Sequence, residues 1–236
     1  MENIPIYVAH YDKAYNRKAY LDSVLPTLNP KEIIYNSDFC DRSKIYSSID
    51  PLSVDVSFPT IHFKTQHSDN FCRGMVLSPQ IPQYLGNFLN HIQIWRKIAN
   101  GNAEHAIILE DDAVLTEDAR NILERQMSSI PEDLEIGYLH PGPGNGYTLE
   151  KYLGIKPKSG SNWVKIPKRI TRSQCSYILS KKGAKRLLQH IFPISWIIDH
   201  ELNFTQSFYD FKVYWTVEHA FLEGSFNGNY KSLFSQ

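Results

Sequence analysis

Three carboxylates in a row, Glu110, Asp111 and Asp112, follow directly after the apolar run Ala106–Leu109. Like charges at this spacing repel one another, so the cluster needs either a counter-charge or a position facing solvent. Carboxylate oxygens are preferred ligands of Mg²⁺ and Mn²⁺, which fill their remaining positions with water and phosphate oxygens. The triplet is therefore a candidate cation site, although solvated loop residues or charges at the start of the next helix would show the same spacing.

The segment in front of the triplet, His105–Leu109, is short and apolar, which predicts a buried strand. Such a strand holds the backbone rigidly and presents the three carboxylates at its C-terminal end. Ligands of open α/β sheets bind outside the carboxyl ends of the strands. This position favours a functional site over a solvated loop.

Further strands and helices alternate along the chain. Short apolar segments predict strands at "IPIYVAH", "EIIYN", "EIGYLH", "QCSYIL" and "KVYWTV". Apolar residues at helical spacing predict helices at "YNRKAYLDSVL", from Pro82 to about Ala99, at "EDARNILERQMSSI" after a Thr116 cap, at "KKGAKRLLQHI" after a Ser180 cap, and from Asp199 to about Tyr209. This alternation predicts an α/β fold with a mainly parallel twisted sheet flanked by helices.

Three segments carry weaker patterns. Ser37–Leu77 predicts irregular structure with a short strand near Thr60–Phe63. The Gly- and Pro-rich loop Pro141–Tyr147 leads into a segment, up to Arg172, that predicts exposed hairpin or loop, and Glu218–Ser232 predicts a tail or flap. No internal repeat or low-complexity linker divides the chain, so we expect a single domain over residues 1–236.

The composition excludes some classes of protein. Lys plus Arg and Asp plus Glu number 25 each among 236 residues, which argues against a nucleic-acid-binding protein. No apolar run reaches the roughly 18 residues of a membrane span. Cys40, Cys72 and Cys175 show no metal-type spacing, and the N-terminus resembles no secretory signal. We therefore expect reduced thiols in a cytoplasmic protein.

Three stretches resemble glycosyltransferase family 25, the lipopolysaccharide and lipooligosaccharide glycosyltransferases. "HIQIWRKIANGNAEHAIILEDDAVL" resembles the family's signature region, in which a Trp-containing helix precedes a strand and Glu-Asp-Asp. "PIYVAHYDKAYNR" resembles the opening strand with its downstream Arg, here Arg17, and "YILSKKGAKRLL" resembles the family's strand–Ser–x–x–Gly–Ala helix motif. These stretches occur in family order across nearly the whole chain.

The resemblance implies a GT-A-like enzyme that moves a hexose, commonly galactose, from a UDP-sugar with inversion. The acceptor would be a lipooligosaccharide, a lipopolysaccharide or another oligosaccharide. The nucleotide-sugar half would cover residues 1–115 and the acceptor half residues 116–236. Such an enzyme would be cytoplasmic, with peripheral contact to the inner membrane surface as an option.

The resemblance also implies a divalent cation, Mn²⁺ or alternatively Mg²⁺, at the leaving diphosphate. Asp112 would be its direct ligand, and Glu110 and Asp111 would reach the ribose or the donor sugar. His219 would be a second metal ligand, unless it is a surface or partly packed histidine.

Further residues are candidates for holding the nucleotide sugar. Ala9 and His10, at the end of the first strand, would border the base and ribose. Arg17 would pair with a phosphate or with base edges, because its fork matches oxyanions, unless it is a solvated helix residue. Asn90 and His91 would approach the donor or form a satisfied pair in the core.

A general base must take the proton of the acceptor hydroxyl. Asp199 matches the family's acidic residue after the Gly-Ala helix and is the candidate, although a helix N-cap fits the same position. His140 is the second candidate. The segments Gly142–Tyr147 and Gln174–Tyr177 are candidates for the lining of the acceptor site.

Two other classes of protein fit parts of the sequence. A cation-dependent nucleotidyltransferase or phosphohydrolase would use the same triplet. The end of the first strand, however, offers no Gly-rich phosphate loop and no clear nucleophile, although Asp12 is near. A non-catalytic carbohydrate-binding protein would use the 14 tyrosines and 4 tryptophans, but it does not require an acidic strand end.

Overall fold

The computed structural model describes residues 1–40, 81–142, 149–167, 173–192, 194 and 197–230. Within these ranges the strands are β1 (Ile6–Ala9), β2 (Ile33–Asn36), β3 (His105–Glu110), β4 (Ala113–Leu115), β5 (Ile136–Tyr138), β6 (Trp163–Lys165), β7 (Ser176–Ser180), β8 (Val213–Thr216) and β9 (Phe221–Glu223). The α-helices are α1 (Tyr15–Val24), α2 (Ile81–Asn100), α3 (Ala119–Met127), α4 (Leu149–Leu153), α5 (Lys181–His190) and α6 (Ile198–Phe208), and a 3₁₀ helix covers Leu25–Leu28. None of the helices in these ranges has the length and apolarity needed to cross a membrane. The short strand predicted near Thr60–Phe63 lies outside the described residues.

Seven of these strands form one sheet in the order β2-β1-β3-β7-β5-β8-β6. The pairs β1–β2, β1–β3 and β5–β8 are parallel, whereas β7 is antiparallel to β3 and β5, and β6 is antiparallel to β8. It follows that β1, β2, β3, β5 and β8 run in one direction and β6 and β7 in the other. The predicted α/β fold with a mainly parallel sheet is confirmed. The strands β4 and β9 form a separate antiparallel pair.

The central strands are apolar because both faces of the sheet are covered. In β1, Tyr7 and Ala9 pack in the cluster that contains the apolar side of α2, while Ile6 and Val8 pack in the cluster that contains Leu21 of α1. The residues of β3 alternate between the same two clusters. Continuous apolar runs are what a sheet buried on both faces requires.

The helix starts agree with the sequence at α5 and differ at α3. The predicted Ser180 cap is confirmed, because the backbone N–H of Gly183 donates to Ser180 Oγ (3.0 Å). The predicted Thr116 cap is wrong, since α3 begins at Ala119 after Asp118. Thr116 Oγ1 instead donates to the carbonyl oxygen of His219 (3.1 Å), which ties the end of β4 to the C-terminal segment.

Two segments predicted as loops contain regular structure. The segment before Arg172 includes α4 and β6, and the buried Trp163 of β6 donates from Nε1 to the carbonyl oxygen of Gln126 (3.0 Å). The predicted C-terminal tail includes β9, which pairs with β4. The strands β4, β6 and β9 have three residues each, too few to show a hydrophobic period.

Candidate active site

The strands that run in the common direction end at one edge of the sheet, and the antiparallel β7 begins there. Ala9 at the end of β1 pairs with Glu110 at the end of β3, and Ser176 at the start of β7 pairs with Leu109. Asp111 and Asp112 follow Glu110 directly. The predicted position of the acidic triplet, at the carboxyl end of a buried strand, is confirmed.

Asp111 holds the first strand and first helix to the end of β3. Arg17 Nη1 donates to Asp111 Oδ1 (2.7 Å), and Oδ2 accepts from the backbone N–H of Tyr11 (2.8 Å) and lies 3.1 Å from His10 Nδ1. The side chains of His10, Arg17 and Asp111 are buried. Arg17 is therefore not a solvated helix residue, and its guanidinium also lies 5.2 Å from the ring centroid of Tyr230.

Asp112 lies in a different environment from its neighbour. Its side chain is buried, and Oδ1 has no hydrogen-bond partner among the described residues. Burial, and then the charge of Glu110, raise the pKa of Asp112 to about 6. Asp112 is thus neither a solvated loop residue nor part of the first turn of α3.

Two more carboxylates lie close to Glu110 and Asp112. Burial and then Glu110 raise the pKa of Asp199, in the first turn of α6, to about 7. Burial and then Asp112 raise the pKa of Glu223, on β9, to about 9. One carboxylate raises the pKa of another mainly at short range and with little solvent between them, and this charge adds to the larger effect of burial in both cases. We call Glu110, Asp112, Asp199 and Glu223 the acidic cluster.

Asp199 does not cap its helix. The residue before α6 is Ile197, and no side chain makes a cap hydrogen bond there, so the N-cap alternative is wrong. Asp199 Oδ1 is buried and lacks a hydrogen-bond partner in the described part of the chain. Its role as the base stays a prediction.

Glu223 was missed from the sequence because the strand that carries it is so short. Pairing of Glu223 with Ala113, and a hydrogen bond from the backbone N–H of Gly224 to the carbonyl oxygen of Asp112 (2.8 Å), bring it beside the triplet. Ser173 Oγ donates to Glu223 Oε2 (3.0 Å). The feature that could have indicated this strand is the alternating burial of its side chains, since Phe221 and Glu223 are buried and Leu222 between them is half-buried.

His219 and Asp112 are not brought together. In the β4–β9 pair, Ala113 lies opposite Glu223 and Leu115 lies opposite Phe221. Asp112 is next to the Ala113–Glu223 end of the pair, whereas His219 precedes Phe221 and lies beyond the other end. His219 Nδ1 lies 3.5 Å from Thr216 Oγ1. The C-terminal side chain beside the triplet is Glu223.

Helix α2 places Asn90 and His91 in different roles. Asn90 Oδ1 accepts from Asn36 Nδ2 (3.1 Å) and from the backbone N–H of Phe39 (3.2 Å), so Asn90 fixes the segment after β2 and is satisfied within the core. His91 lies beside the acidic cluster, with Nε2 at 3.5 Å from Glu110 Oε1. Asn87 Nδ2 donates to the same oxygen (2.8 Å).

The remaining candidates lie around the same edge. His140 is fully buried, its Nδ1 accepts from the backbone N–H of Gly142 (3.1 Å), and its Nε2 lies 3.4 Å from the carbonyl oxygen of Ser173. Gln174 is buried next to Asp199 and lowers the pKa of Asp199 against the larger effect of burial. Residues 143–147 of the predicted acceptor loop lie outside the described residues.

The acidic cluster fits a hard divalent cation. Asp112 offers a buried carboxylate oxygen without a protein partner in the described ranges, and the charge of Glu110 adds to burial in raising the pKa of Asp112. No three His, Cys, Asp or Glu side chains of the described residues are arranged to hold a metal among themselves. A cation here would thus take one or two of these carboxylates and complete its shell with water and phosphate oxygens, as Mg²⁺ does in phosphate-transferring sites.

Known proteins with similar sequences and structures are glycosyltransferases by name. A "Glycosyltransferase 25 family member" from Aedes aegypti is 25% identical, and the match covers 80% of this chain and 34% of that protein. The chain thus spans about a third of the length of this curated relative.

Two solved structures align with the chain. A glycosyltransferase involved in the glycosylation of the major capsid of PBCV-1 aligns at 11% identity and a TM-score of 0.34, over 77% of this chain and 61% of that one. The apo form of mouse xyloside xylosyltransferase 1 aligns at 13% identity and a TM-score of 0.37, over 92% of this chain and 64% of that one.

The sequence family described as "Glycosyltransferase family 25 (LPS biosynthesis protein)" matches residues 3–202. The match includes β1, the helix α2, the acidic triplet, the Ser180 helix start and Asp199. Because it covers most of the 236 residues, the chain belongs to glycosyltransferase family 25.

Proposed function

We propose that the protein is a glycosyltransferase that moves a hexose, galactose in the first instance, from a UDP-sugar to a lipooligosaccharide or lipopolysaccharide sugar. The observation that carries the proposal is the buried Oδ1 of Asp112, without a partner among the described residues and surrounded by Glu110, Asp199 and Glu223. A buried carboxylate is costly unless it is paired or binds a metal. Family membership supports the same class of reaction.

Asp112 would hold a divalent cation, Mn²⁺ or Mg²⁺, with Glu223 as the second carboxylate in place of His219. When bound, the cation would stabilise the negative charge that builds up on the leaving diphosphate. Ala9 and His10 would border the base and ribose, next to Glu110 at the end of the adjacent strand.

Asp199 would act as the general base. The acceptor hydroxyl oxygen attacks the anomeric carbon and gives its proton to Asp199. As the new bond forms, the bond from that carbon to the diphosphate oxygen breaks, so UDP leaves and the configuration at the carbon inverts. A pKa of about 7 suits this role, because a base near neutral pH is both available and strong enough.

The acceptor would be presented next to the edge that carries Asp199 and Gln174. With an acceptor carried on a membrane lipid, the protein would work in the cytoplasm at the inner face of the inner membrane. The second half of the chain, residues 116–236, supplies Asp199 and Gln174 and would contact this acceptor.

Release of UDP from UDP-galactose by the purified protein tests the proposal. We expect slow hydrolysis that is faster with Mn²⁺ than in EDTA, and a loss of at least about a hundredfold in Asp112→Asn, in line with the loss of one electrostatic stabiliser of a transition state. Glu124→Gln is the control, because Glu124 forms an exposed pair with Arg120 and should leave the rate unchanged.

The products separate this proposal from its rivals. A glycosyltransferase releases UDP and free hexose, whereas a phosphohydrolase that uses the same carboxylates would release UMP and hexose 1-phosphate. A carbohydrate-binding protein would bind sugar without nucleotide. Either of the last two results would contradict the proposal.

A further inference from the structure

A chain of polar contacts runs from the buried core to Glu110 of the acidic cluster. Trp95 Nε1 donates to the Tyr177 hydroxyl oxygen (2.8 Å), and that oxygen lies 2.9 Å from His91 Nδ1. His91 Nε2 then lies 3.5 Å from Glu110 Oε1. Trp95, Tyr177 and His91 are all completely buried. These fully buried polar groups have no contact with water, so each group depends on its neighbours for hydrogen-bond partners.

The donors and acceptors available to these side chains limit the direction of each contact. An indole N–H only donates, so the Tyr177 oxygen accepts from Trp95. Burial raises the pKa of Tyr177 well above its usual value, so the hydroxyl keeps its proton, which is free for His91 Nδ1. A neutral imidazole that accepts at Nδ1 carries its own proton on Nε2. In this tautomer the Nε2–H of His91 faces Glu110.

Helix α2 presents a second donor to the same carboxylate oxygen. Asn87 precedes His91 by one helical turn, which places both side chains on one face. Asn87 Nδ2 donates to Glu110 Oε1 (2.8 Å), the oxygen that His91 Nε2 also approaches. Asn87 donates a hydrogen bond to Oε1, whereas His91 Nε2 lies 3.5 Å from that oxygen and makes no hydrogen bond among the described residues of the ligand-free protein. The Glu110 side chain is 23% exposed. Within the described residues, the protein contacts of this carboxylate are therefore made through Oε1.

We propose that His91 is a positioning residue for Glu110. Together with Asn87 it holds Oε1, so that Oε2 accepts a hydrogen bond from a hydroxyl of the bound nucleotide sugar, and Trp95 and Tyr177 set the His91 tautomer that makes this possible. The tautomer is inferred from side chains of the ligand-free protein, whereas the hydroxyl ligand rests on the proposed function.

The tautomer is tested by ¹⁵N NMR of the histidine side chains in the ligand-free protein, with the His91 signals assigned from His91→Gln. We expect a neutral His91 protonated on Nε2. In Tyr177→Phe, which removes only the hydroxyl, the proton should become free to move to Nδ1. A native His91 protonated on Nδ1, or on both nitrogens, would overturn the proposal. This measurement needs no substrate, so its result is independent of the proposed function.

The positioning role is tested by two substitutions that each keep half of the imidazole. In His91→Gln the side-chain N–H₂ group can replace Nε2–H toward Glu110, whereas in His91→Asn the shorter amide replaces only Nδ1. We expect kcat/KM for UDP-galactose hydrolysis to fall roughly tenfold or more in His91→Asn and less than about threefold in His91→Gln, since a hydrogen bond to a charged group has an effect of this order.

Glu110→Gln provides the matched background. If His91 acts through Glu110, adding His91→Asn to Glu110→Gln should lower kcat/KM by less than about twofold further. Equal losses in His91→Gln and His91→Asn at equal thermal stability, or an undiminished effect of His91→Asn in Glu110→Gln, would contradict the role.

A binding comparison between the native protein and His91→Asn identifies the hydroxyl that Glu110 contacts. Weaker binding of both UDP and UDP-galactose indicates a ribose hydroxyl, and weaker binding of UDP-galactose alone indicates a hexose hydroxyl. Unchanged binding of both, with unchanged kcat/KM, would refute the hydroxyl contact.

Discussion

Adjacent carboxylates of the triplet have opposite surroundings. Asp111 is paired with Arg17 and accepts the backbone N–H of Tyr11, whereas Asp112, one residue later, has a buried oxygen without a partner among the described residues. We therefore expect Asp111 to stabilise the fold and Asp112 to destabilise it in the absence of a bound cation.

The raised pKa values of the acidic cluster predict how the metal-free protein responds to pH. In the folded protein the pKa values of Asp112, Asp199 and Glu223 are about 6, 7 and 9. Each lies above the pKa of the same carboxyl in the unfolded chain, so between the two values the folded protein binds more protons than the unfolded chain does. Stability should therefore fall as pH rises from about 5 to about 9, because the fold must give up those protons. Thermal unfolding in EDTA should show a fall of several degrees in Tm over this range.

Two comparisons check the origin of that slope. Glu223→Gln should reduce it, because the glutamine carries no charge at any pH, and Glu124→Gln on the exposed face of α3 should not change it. Addition of Mn²⁺ at pH 8 should raise Tm of the native protein more than that of Glu223→Gln. A Tm that is constant or increases with pH in EDTA would show that ionisation of the acidic cluster does not destabilise the fold.

The proposed base makes a separate prediction about rate. Asp199 must be ionised to accept a proton, and its raised pKa of about 7 means that the ionised fraction increases with pH through neutrality. With Mn²⁺ present, UDP-galactose hydrolysis should therefore rise with pH to a plateau, with a midpoint at or below about 7. Asp199→Asn should lower kcat by about a hundredfold or more while UDP binding is kept. A variant with native kcat would exclude Asp199 as the base.

At the level of elements, the pairing of β4 with β9 completes the site. The two strands have three residues each, and their register places Glu223 beside Ala113 and the backbone of Gly224 beside that of Asp112. A two-stranded pair of this length has little stability of its own and depends on packing against the rest of the protein. Because β4 lies near the middle of the chain and β9 near its C-terminus, their pairing connects the two halves of the chain at the acidic cluster.

Gly224 tests this connection. A Cβ at Gly224 would lie 2.7 Å from the carbonyl oxygen of Asp112 and 2.6 Å from the ring of Tyr230, so Gly224→Ala should shift the Asp112 backbone. We expect a loss of Mn²⁺-dependent UDP release of roughly tenfold or more, with Tm lowered by only a few degrees. Isothermal titration with Mn²⁺ and UDP would report the matching loss of affinity.

The matched control is Gly183→Ala at the start of α5. There a Cβ would lie 2.4 Å from the carbonyl oxygen of Glu135, away from the acidic cluster, so the variant should lose thermal stability without a selective loss of metal binding. If Gly224→Ala instead retained native activity, the close approach of β9 to Asp112 would not matter for function.

At the level of the whole molecule, one sheet takes strands from both halves of the chain. Strand β3 of the first half pairs with β7 of the second, so the two predicted halves share one hydrophobic core on each face. The single domain over residues 1–236 stays a prediction. The fully buried Glu135 joins β5, α5 and β8, because Oε2 contacts Arg186 Nη1 and accepts the backbone N–H of Lys212 (2.9 Å).

Removal of one partner of this buried pair should destabilise the whole fold. Arg186→Met leaves Glu135 buried without its main counter-charge, a change that costs about 3–5 kcal/mol in comparable pairs. For a chain of this size that corresponds to a fall in Tm of roughly 6–20 °C. Arg120→Met, which breaks the exposed pair with Glu124, should change stability by less than about 0.5 kcal/mol. Comparable losses in the two variants, measured by urea unfolding, would contradict this account.

The local and periodic features of this protein could be predicted from its amino-acid sequence. The apolar runs of β1 and β3, the stripe of α2 and the Ser180 cap follow from side-chain chemistry within a few residues, so their positions could be predicted. The same holds for the acidic triplet, since a carboxylate that follows a buried strand has to emerge at the strand end. The motifs that resemble glycosyltransferase family 25 lie in these segments, and the family match covers them.

The distant side chains that meet at that edge could be identified only from the complete fold. Glu223 joins Asp112 through three-residue strands that have no detectable period, and His219 is kept away by the register of the same pair. Arg17 pairs with Asp111 across 94 positions of sequence. Contacts of this kind depend on loop closure and strand register, which are set by the packing of the whole chain and leave no pattern in the local sequence.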